Sequence, residues 1–145
     1  MIISDLFKKK KAVYSFEIFP PKPTADVAAV SDTIEKLAAL SPDYISVTCS
    51  AGGTGNSRTA EIAKLVQKNG VEPLAHVTCI NSSKSDVART LAELSENKIY
   101  NVLALRGDRI AGAQESKDFA HASDLVSFIR QWGGGKFDIA GACYR

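Results

Sequence analysis

The stretch "NVLALRGDRI", residues 101–110, decides how the rest of the sequence is interpreted. Mostly apolar residues run directly into an arginine, a glycine and an aspartate, as they would at the end of a buried strand. Burying an unpaired charge is costly, so Arg106 and Asp108 need partners at that position. The fold class therefore depends on whether other strands of the chain end in the same way.

Four further segments have the same strand-like character. They are short, rich in β-branched or aromatic residues and bounded by Pro, Gly or Ser, and they cover residues 13–19, 44–49, 74–79 and 137–144. Segments with apolar residues at helical spacing lie between them, at 25–40, 58–70, 85–98 and 122–133. Strict alternation of this kind predicts a parallel sheet covered by helices.

Local signals agree with these helices. Ser83 and Asp86 have the spacing of a capping box, and Gly70 and Gly133 stand where helices should end. The basic run at 8–11 is expected to be the solvated end of a short N-terminal helix.

Two α/β architectures fit the alternation, a doubly wound open sheet and a (β/α)8 TIM barrel. The steps from Glu17 to Thr48, from Thr48 to Thr78 and from Thr78 to Asp108 are 31, 30 and 30 residues. A barrel of about 250 residues has roughly 31 per unit. We therefore favour a barrel, of which residues 1–145 supply about the first five βα units as a single domain. A smaller open sheet remains the alternative.

Polar groups cluster where the predicted strands end. Since side chains alternate along a strand, the alternation places the following sets on common faces: Ser15, Glu17 and Phe19; Ser46 and Thr48; His76 and Thr78; Ala104, Arg106 and Asp108; Ala140, Ala142 and Tyr144. Open α/β sheets and barrels both bind ligands at the carboxyl ends of parallel strands. A ligand site at this end is expected. Taken singly, Glu17 could be a salt-bridged carboxylate, His76 a core histidine, and Arg106 with Asp108 a structural ion pair.

Composition excludes other classes of function. Eighteen Lys and Arg against sixteen Asp and Glu give a net charge of +2, too little to indicate nucleic acid or an anionic membrane as a partner. The three cysteines are dispersed, which predicts reduced thiols in a cytoplasmic protein and neither a disulfide framework nor a metal site. No signal peptide or membrane span is predicted.

Five quoted segments carry a family resemblance. They are "SFEIFPPK" (15–22), "YISVTCSAGGTGNSRT" (44–59), "PLAHVTCINSSKSDV" (73–87), "NVLALRGD" (101–108) and "HASDLVSFIR" (121–130). In order and spacing they closely resemble the N-terminal half of methylenetetrahydrofolate reductases, over nearly the whole chain. The resemblance implies a TIM barrel that binds FAD at its C-terminal face and, in the complete protein, three more strands after residue 145.

The resemblance also implies an activity. Hydride would pass from NAD(P)H through FAD to 5,10-methylenetetrahydrofolate, giving 5-methyltetrahydrofolate for methionine synthesis or an acetyl-CoA pathway. Glu17 would be the general acid that helps to open the folate ring, and Asp108 would lie near flavin and pterin. The remaining flavin contacts implied are Thr48, His76, Arg106, Gly107, His121, Ala122 and Tyr144. His121 stands where a tyrosine is expected in many relatives. The choice between NADH and NADPH stays open.

Two other hypotheses are kept. The chain could be a non-catalytic truncated barrel module that self-associates or pairs with another chain, because an open parallel sheet exposes two edges. It could also be a flavin-free pterin-binding methyl carrier domain. The exposed edges also lead us to expect a homo-oligomer.

Overall fold

The computed structural model describes residues 1–21, 27–49, 56–109, 112 and 115–143. Its elements are α1 (Ser4–Lys9), β1 (Ser15–Ile18), α2 (Ala28–Ala38), β2 (Tyr44–Val47), α3 (Asn56–Lys68), β3 (Glu72–Thr78), α4 (Lys84–Glu96), β4 (Asn101–Leu105), α5 (Ala122–Gly133) and β5 (Asp138–Gly141). The alternation predicted from the sequence is confirmed. Within these ranges no helix is both long and apolar enough to cross a bilayer.

The strands form one parallel five-stranded sheet in the order β1-β2-β3-β4-β5. Each strand therefore pairs with its neighbours in the chain. A doubly wound sheet reverses its strand order at a switch point, and the described strands show no such reversal. The fold is α/β with a sequentially ordered parallel sheet.

One face of the sheet is buried under the helices. Its core contains Ile18, Ile34, Ile45, Val47, Val66, Val77, Val87, Leu91, Leu94, Val102, Leu125 and Ile129. The opposite face, called the inner face below, carries Glu17, Ser46, Leu74, Leu103 and Ala140. Apolar helix-facing positions alternate with mixed inner positions, as the pleat requires.

One predicted face assignment is wrong. Ala104 was expected to share a face with Arg106 and Asp108, but it is 1% exposed and packs in the helix-side core, whereas Leu103 lies on the inner face. The expectation failed because β4 ends at Leu105, so the alternation cannot be counted across the strand end. Arg106 and Asp108 are positioned by the loop that follows the strand.

The helices differ from their predicted bounds by up to three residues at an end, and the predicted cap signals hold with one adjustment. Ser83 accepts a hydrogen bond from the Asp86 N–H and Asp86 accepts one from the Ser83 N–H, which confirms the capping box. Gly70 follows α3 with φ of +79°. At the end of α5 the left-handed residue is Gly134 rather than Gly133, which is still helical.

The N-terminal segment closes the amino end of the sheet. Ile3 and Leu6 pack on Leu74 at the inner face. The Ile3 N–H donates to Asn101 Oδ1 at 2.9 Å, and Asn101 Nδ2 donates to the Met1 carbonyl and to Glu72 Oε1, both at 2.9 Å. These contacts hold the N-terminal segment against the first residues of β3 and β4. The last turn of α1 carries Lys8 and Lys9 at the surface, as predicted.

We expect Asn101→Ala to lower the free energy of unfolding by about 2–3 kcal/mol. The substitution removes a fully buried side-chain amide and leaves its polar partners without their hydrogen bonds. Asn97→Ala is the matched control, since the Asn97 amide donates only to the nearby Glu93 carbonyl, and about 1 kcal/mol or less should be lost. Urea denaturation of both variants measures the difference. Equal losses would show that Asn101 does not anchor the N-terminal segment.

Candidate functional site

A cavity of about 400 Å³ lies on the inner face beside the N-terminal segment, and among the described residues that were predicted for the site only Glu17 lines it. Its lining residues are Ile3, Phe7, Ser15, Phe16, Glu17, Tyr44, Ser46, Leu74, Leu103, Ala140 and Gly141. The lining is largely apolar, and Glu17 is the only carboxylate among the described residues that line it. A carboxylate beside an apolar cavity with few other polar groups is a common arrangement in small-molecule sites.

Three neighbouring strands bring a carboxylate, a hydroxyl and an imidazole together. Glu17 and Ser46 are partners in the ladder between β1 and β2, so their side chains project side by side. Ser46 Oγ lies 3.3 Å from Glu17 Oε2, and His76 Nε2 of β3 lies 3.6 Å from the same oxygen. The Glu17 side chain is 51% exposed, so it remains within reach of a ligand.

His76 is buried and incompletely bonded. Its side chain is 7% exposed, and Nε2 has no hydrogen-bond partner among the described residues. The 3.6 Å to Glu17 is close enough for an ionic contact but too long for a hydrogen bond. Burial lowers the pKa of His76, and the nearby Glu17 opposes this effect only in part. The ring is therefore neutral near pH 7, and its buried Nε2 lacks a hydrogen-bond partner among the described residues.

The end of β2 is bonded to β1, to α3 and to the end of β3. The Thr48 N–H donates to the Ile18 carbonyl at 3.0 Å, and Thr59 Oγ1 donates to the Thr48 carbonyl at 3.0 Å. Thr78 Oγ1 donates to Cys49 Sγ at 3.5 Å. These bonds fix the backbone that presents Thr48 at the carboxyl end of the sheet.

The Arg106 carbonyl bonds the turn after β4 to the residues that follow β3. The Arg106 carbonyl accepts the N–H groups of Cys79 at 3.2 Å and Ile80 at 2.8 Å. Gly107 has φ of +88°, and a Cβ built there would lie 3.2 Å from side-chain carbons of both Thr78 and Ile80. Both the backbone angle and the space therefore require glycine at this point.

Arg106 and Asp108 have exposed side chains, and no salt bridge joins them in the part of the chain that the structure describes. Their interpretation as a structural ion pair is therefore wrong. Two strands separate β4 from β1 in the sheet, and Asp108 lies beyond the end of β4, whereas the ladder sets Glu17 level with Ser46 and Leu74. Asp108 and Glu17 are therefore not in contact.

The start of α5 borders the same end. The Asp124 carboxylate accepts the N–H groups of Ala120 and His121, each at 2.9 Å, and these bonds lower the pKa of Asp124. The His121 carbonyl lies 3.8 Å from Cys79 Sγ, which places the residues at the start of α5, His121 and Ala122, beside the end of β3. Tyr144 lies outside the described residues.

Cys79 is not a candidate nucleophile. Burial, with a further contribution from Asp124, raises the pKa of its thiol to about 11. A thiol with so high a pKa is protonated near pH 7 and therefore unreactive.

Comparison with known proteins gives a consistent result. Residues 2–145 match the family model for methylenetetrahydrofolate reductase. The chain is 35% identical over 147 residues to methylenetetrahydrofolate reductase (NADH) 1 of Arabidopsis thaliana, covering 98% of this chain and 25% of the relative. It is 34% identical over 131 residues to the 5,10-methylenetetrahydrofolate reductase of Pectobacterium carotovorum, covering 90% and 43%, and 33% identical to that of Escherichia coli, with the same coverage. The chain thus spans less than half the length of these relatives.

We expect Gly107→Ala to lower the free energy of unfolding by about 2 kcal/mol or more, since it combines backbone strain with crowding. Gly70→Ala is the control, because Gly70 has a similar φ of +79° and nothing within 4 Å of the added carbon. Gly70→Ala should lower the free energy of unfolding only by the cost of holding alanine at a positive φ, about 1 kcal/mol. Thermal and urea unfolding measure both, and a loss at Gly107 no larger than at Gly70 would contradict the crowding.

His76 should make stability depend on pH. The folded protein holds the pKa of His76 below its ordinary 6.5, so the unfolded chain binds the proton more readily. Stability should therefore fall as the pH drops below about 6.5, by at most about 1.4 kcal/mol per pH unit for one group. Between pH 5 and 7.5, the urea midpoint should change less with pH in His76→Gln than in the wild-type protein. His121→Gln controls for removal of a histidine, and an unchanged slope in His76→Gln would refute the assignment.

Proposed function

The chain belongs to the methylenetetrahydrofolate reductase family, and we propose that the protein carrying it reduces 5,10-methylenetetrahydrofolate to 5-methyltetrahydrofolate with NAD(P)H. The observation that carries this proposal is the placement of Glu17. It is an accessible carboxylate at an apolar cavity, within the family motif at 15–22, and it is contacted by groups from two neighbouring strands.

We propose that the described sheet is the first part of a (β/α)8 barrel. Its sequential parallel order, its helices on one face and the spacing of its strand ends all support a barrel. The inner face would then become the barrel interior. The N-terminal segment would close its bottom, and the carboxyl ends of the strands would form the catalytic face.

FAD is the cofactor that we propose, and the residues present fit a polar cofactor. The buried Nε2 of His76 needs a hydrogen-bond partner, and the exposed Arg106 guanidinium can bind a phosphate group. The residues that would hold FAD are Thr48, His76, Arg106, Gly107, Asp108, His121, Ala122 and Tyr144. When bound, FAD would supply the hydride carrier between NAD(P)H and the folate.

The protein's own task would be to move a proton and to stabilise charge. The five-membered ring of the folate opens when its bridging nitrogen receives a proton, and the Glu17 carboxyl would donate it. The Asp108 carboxylate would favour the positive charge that develops as the ring opens. The apolar residues of the cavity, including Leu74 and Leu103, would limit access of water to the reacting groups.

A non-catalytic module is the second candidate, favoured by one observation. Among the described strands β1 and β5 each have only one neighbour, so both edges offer unpaired backbone groups to another chain. Such a module, like a flavin-free methyl carrier, would purify without the yellow colour of flavin. The complete reductase should carry flavin near one equivalent per chain.

We expect Glu17→Gln, made in the complete protein that carries this chain, to reduce the folate half-reaction by about 10²-fold or more, because a general acid typically contributes that much. Reduction of the flavin by NAD(P)H should be unchanged. Stopped-flow measurement of the two half-reactions separates the effects. Glu35→Gln on the exposed side of α2 is the control and should leave both rates unchanged. Equal losses in both half-reactions would make Glu17 a structural residue.

A further inference from the structure

Ser46 is a buried polar residue on the inner face that the proposed mechanism does not yet use. Its residue exposure is 7%, and it stands beside Glu17 in the β1–β2 ladder. On its other side its ladder partner is Leu74, which offers no polar side-chain group. The Ser46 hydroxyl therefore has its polar neighbours on the β1 side.

Two acceptors lie within reach of this hydroxyl. Ser46 Oγ is 3.3 Å from Glu17 Oε2 and 3.5 Å from the Phe16 carbonyl oxygen. A serine hydroxyl carries one hydrogen and two lone pairs, and the hydrogen rotates to suit its partners. It can donate to an ionised Glu17 carboxylate. It can also donate to the unprotonated oxygen of a protonated Glu17 carboxyl, and the Phe16 carbonyl is the alternative acceptor for the same hydrogen.

We propose that Ser46 is a positioning residue that holds the Glu17 carboxyl in one orientation before and after it gives up its proton; this rests on the proposed reductase function. The proton that reaches the folate nitrogen comes from Glu17, which is left ionised. The proton leaves from the oxygen that faces the substrate, while the Ser46 hydroxyl donates to Glu17 Oε2 before and after the transfer and keeps its own hydrogen. No bond to the serine forms or breaks.

The buried His76 ring borders the same carboxyl oxygen on the other side. Its Nε2 lies 3.6 Å from Glu17 Oε2, the oxygen that Ser46 also contacts. With this oxygen placed between β2 and β3, the other is free for the substrate. The Ser46 contact thus distinguishes the oxygen that is held from the oxygen that reacts.

The kinetic test uses Ser46→Ala in the complete protein. The folate half-reaction at saturating folate should slow about 10-fold, since a hydrogen bond to a charged group is worth about that factor. The KM for folate and the rate of flavin reduction by NAD(P)H should not change. Thr90→Val, which removes a buried hydroxyl bonded to the Asp86 carbonyl in α4, is the control and should leave all three values unchanged.

A double variant gives the decisive comparison. In a Glu17→Gln background, Ser46→Ala should not slow the folate half-reaction any further, because the carboxyl group that Ser46 orients is already absent. A further 10-fold loss, or an unchanged rate in the single variant, would overturn the proposal. A wild-type protein that reduces its flavin but not the folate would instead refute the proposed function.

Stability of the apoprotein provides a readout that needs neither flavin nor folate. The shifts in urea midpoint caused by Ser46→Ala and Glu17→Ala should sum to more than the shift of the double variant, because both remove the same contact. Strict additivity would show that the two side chains do not interact. This result tests the contact even if the reductase function fails.

Discussion

The in-register parallel ladder is the constraint on which the rest of the structure depends. Pairing Glu17 with Ser46 and Ser46 with Leu74 decides which face of each strand meets the helices. A shift of one residue in any strand would turn its apolar positions away from the helix layer and its polar ones into it. The same register therefore maintains the core and brings the Glu17, Ser46 and His76 side chains together.

Most of the fold could be predicted because buried parallel strands and amphipathic helices leave different apolar patterns. The exceptions have physical causes. The segment at 74–79 was expected to be bounded by Pro73, yet β3 begins at Glu72 and includes that proline. Asn101 was not recognised as an anchor because the two N-terminal residues that it holds, Met1 and Ile3, are about 100 positions away in the chain.

The candidate site was predictable as a location but not as a set of contacts. Spacing placed Glu17, His76 and the residues after β4 at one end of the sheet. It could not reveal that Ser46 contacts Glu17, because that depends on the relative register of two strands and on side-chain rotamers. Nor could it reveal that Arg106 and Asp108 stay unpaired with each other, since the turn at Gly107, and not the strand, directs them.

The anchoring of the N-terminal segment has a consequence for the order of assembly during synthesis. Ile3 bonds to a residue 98 positions later, and the Ser4 N–H donates to Asp138, 134 positions later. The ribosome therefore delivers Ile3 and Ser4 long before their partners exist, and the earliest part of the chain is among the last to become ordered. Contacts of such long sequence separation slow folding, because the entropy cost of closing the intervening chain comes before the hydrogen bonds can form. Until β5 emerges, the apolar side chains of α1 have an incomplete surface to cover and are available to a chaperone.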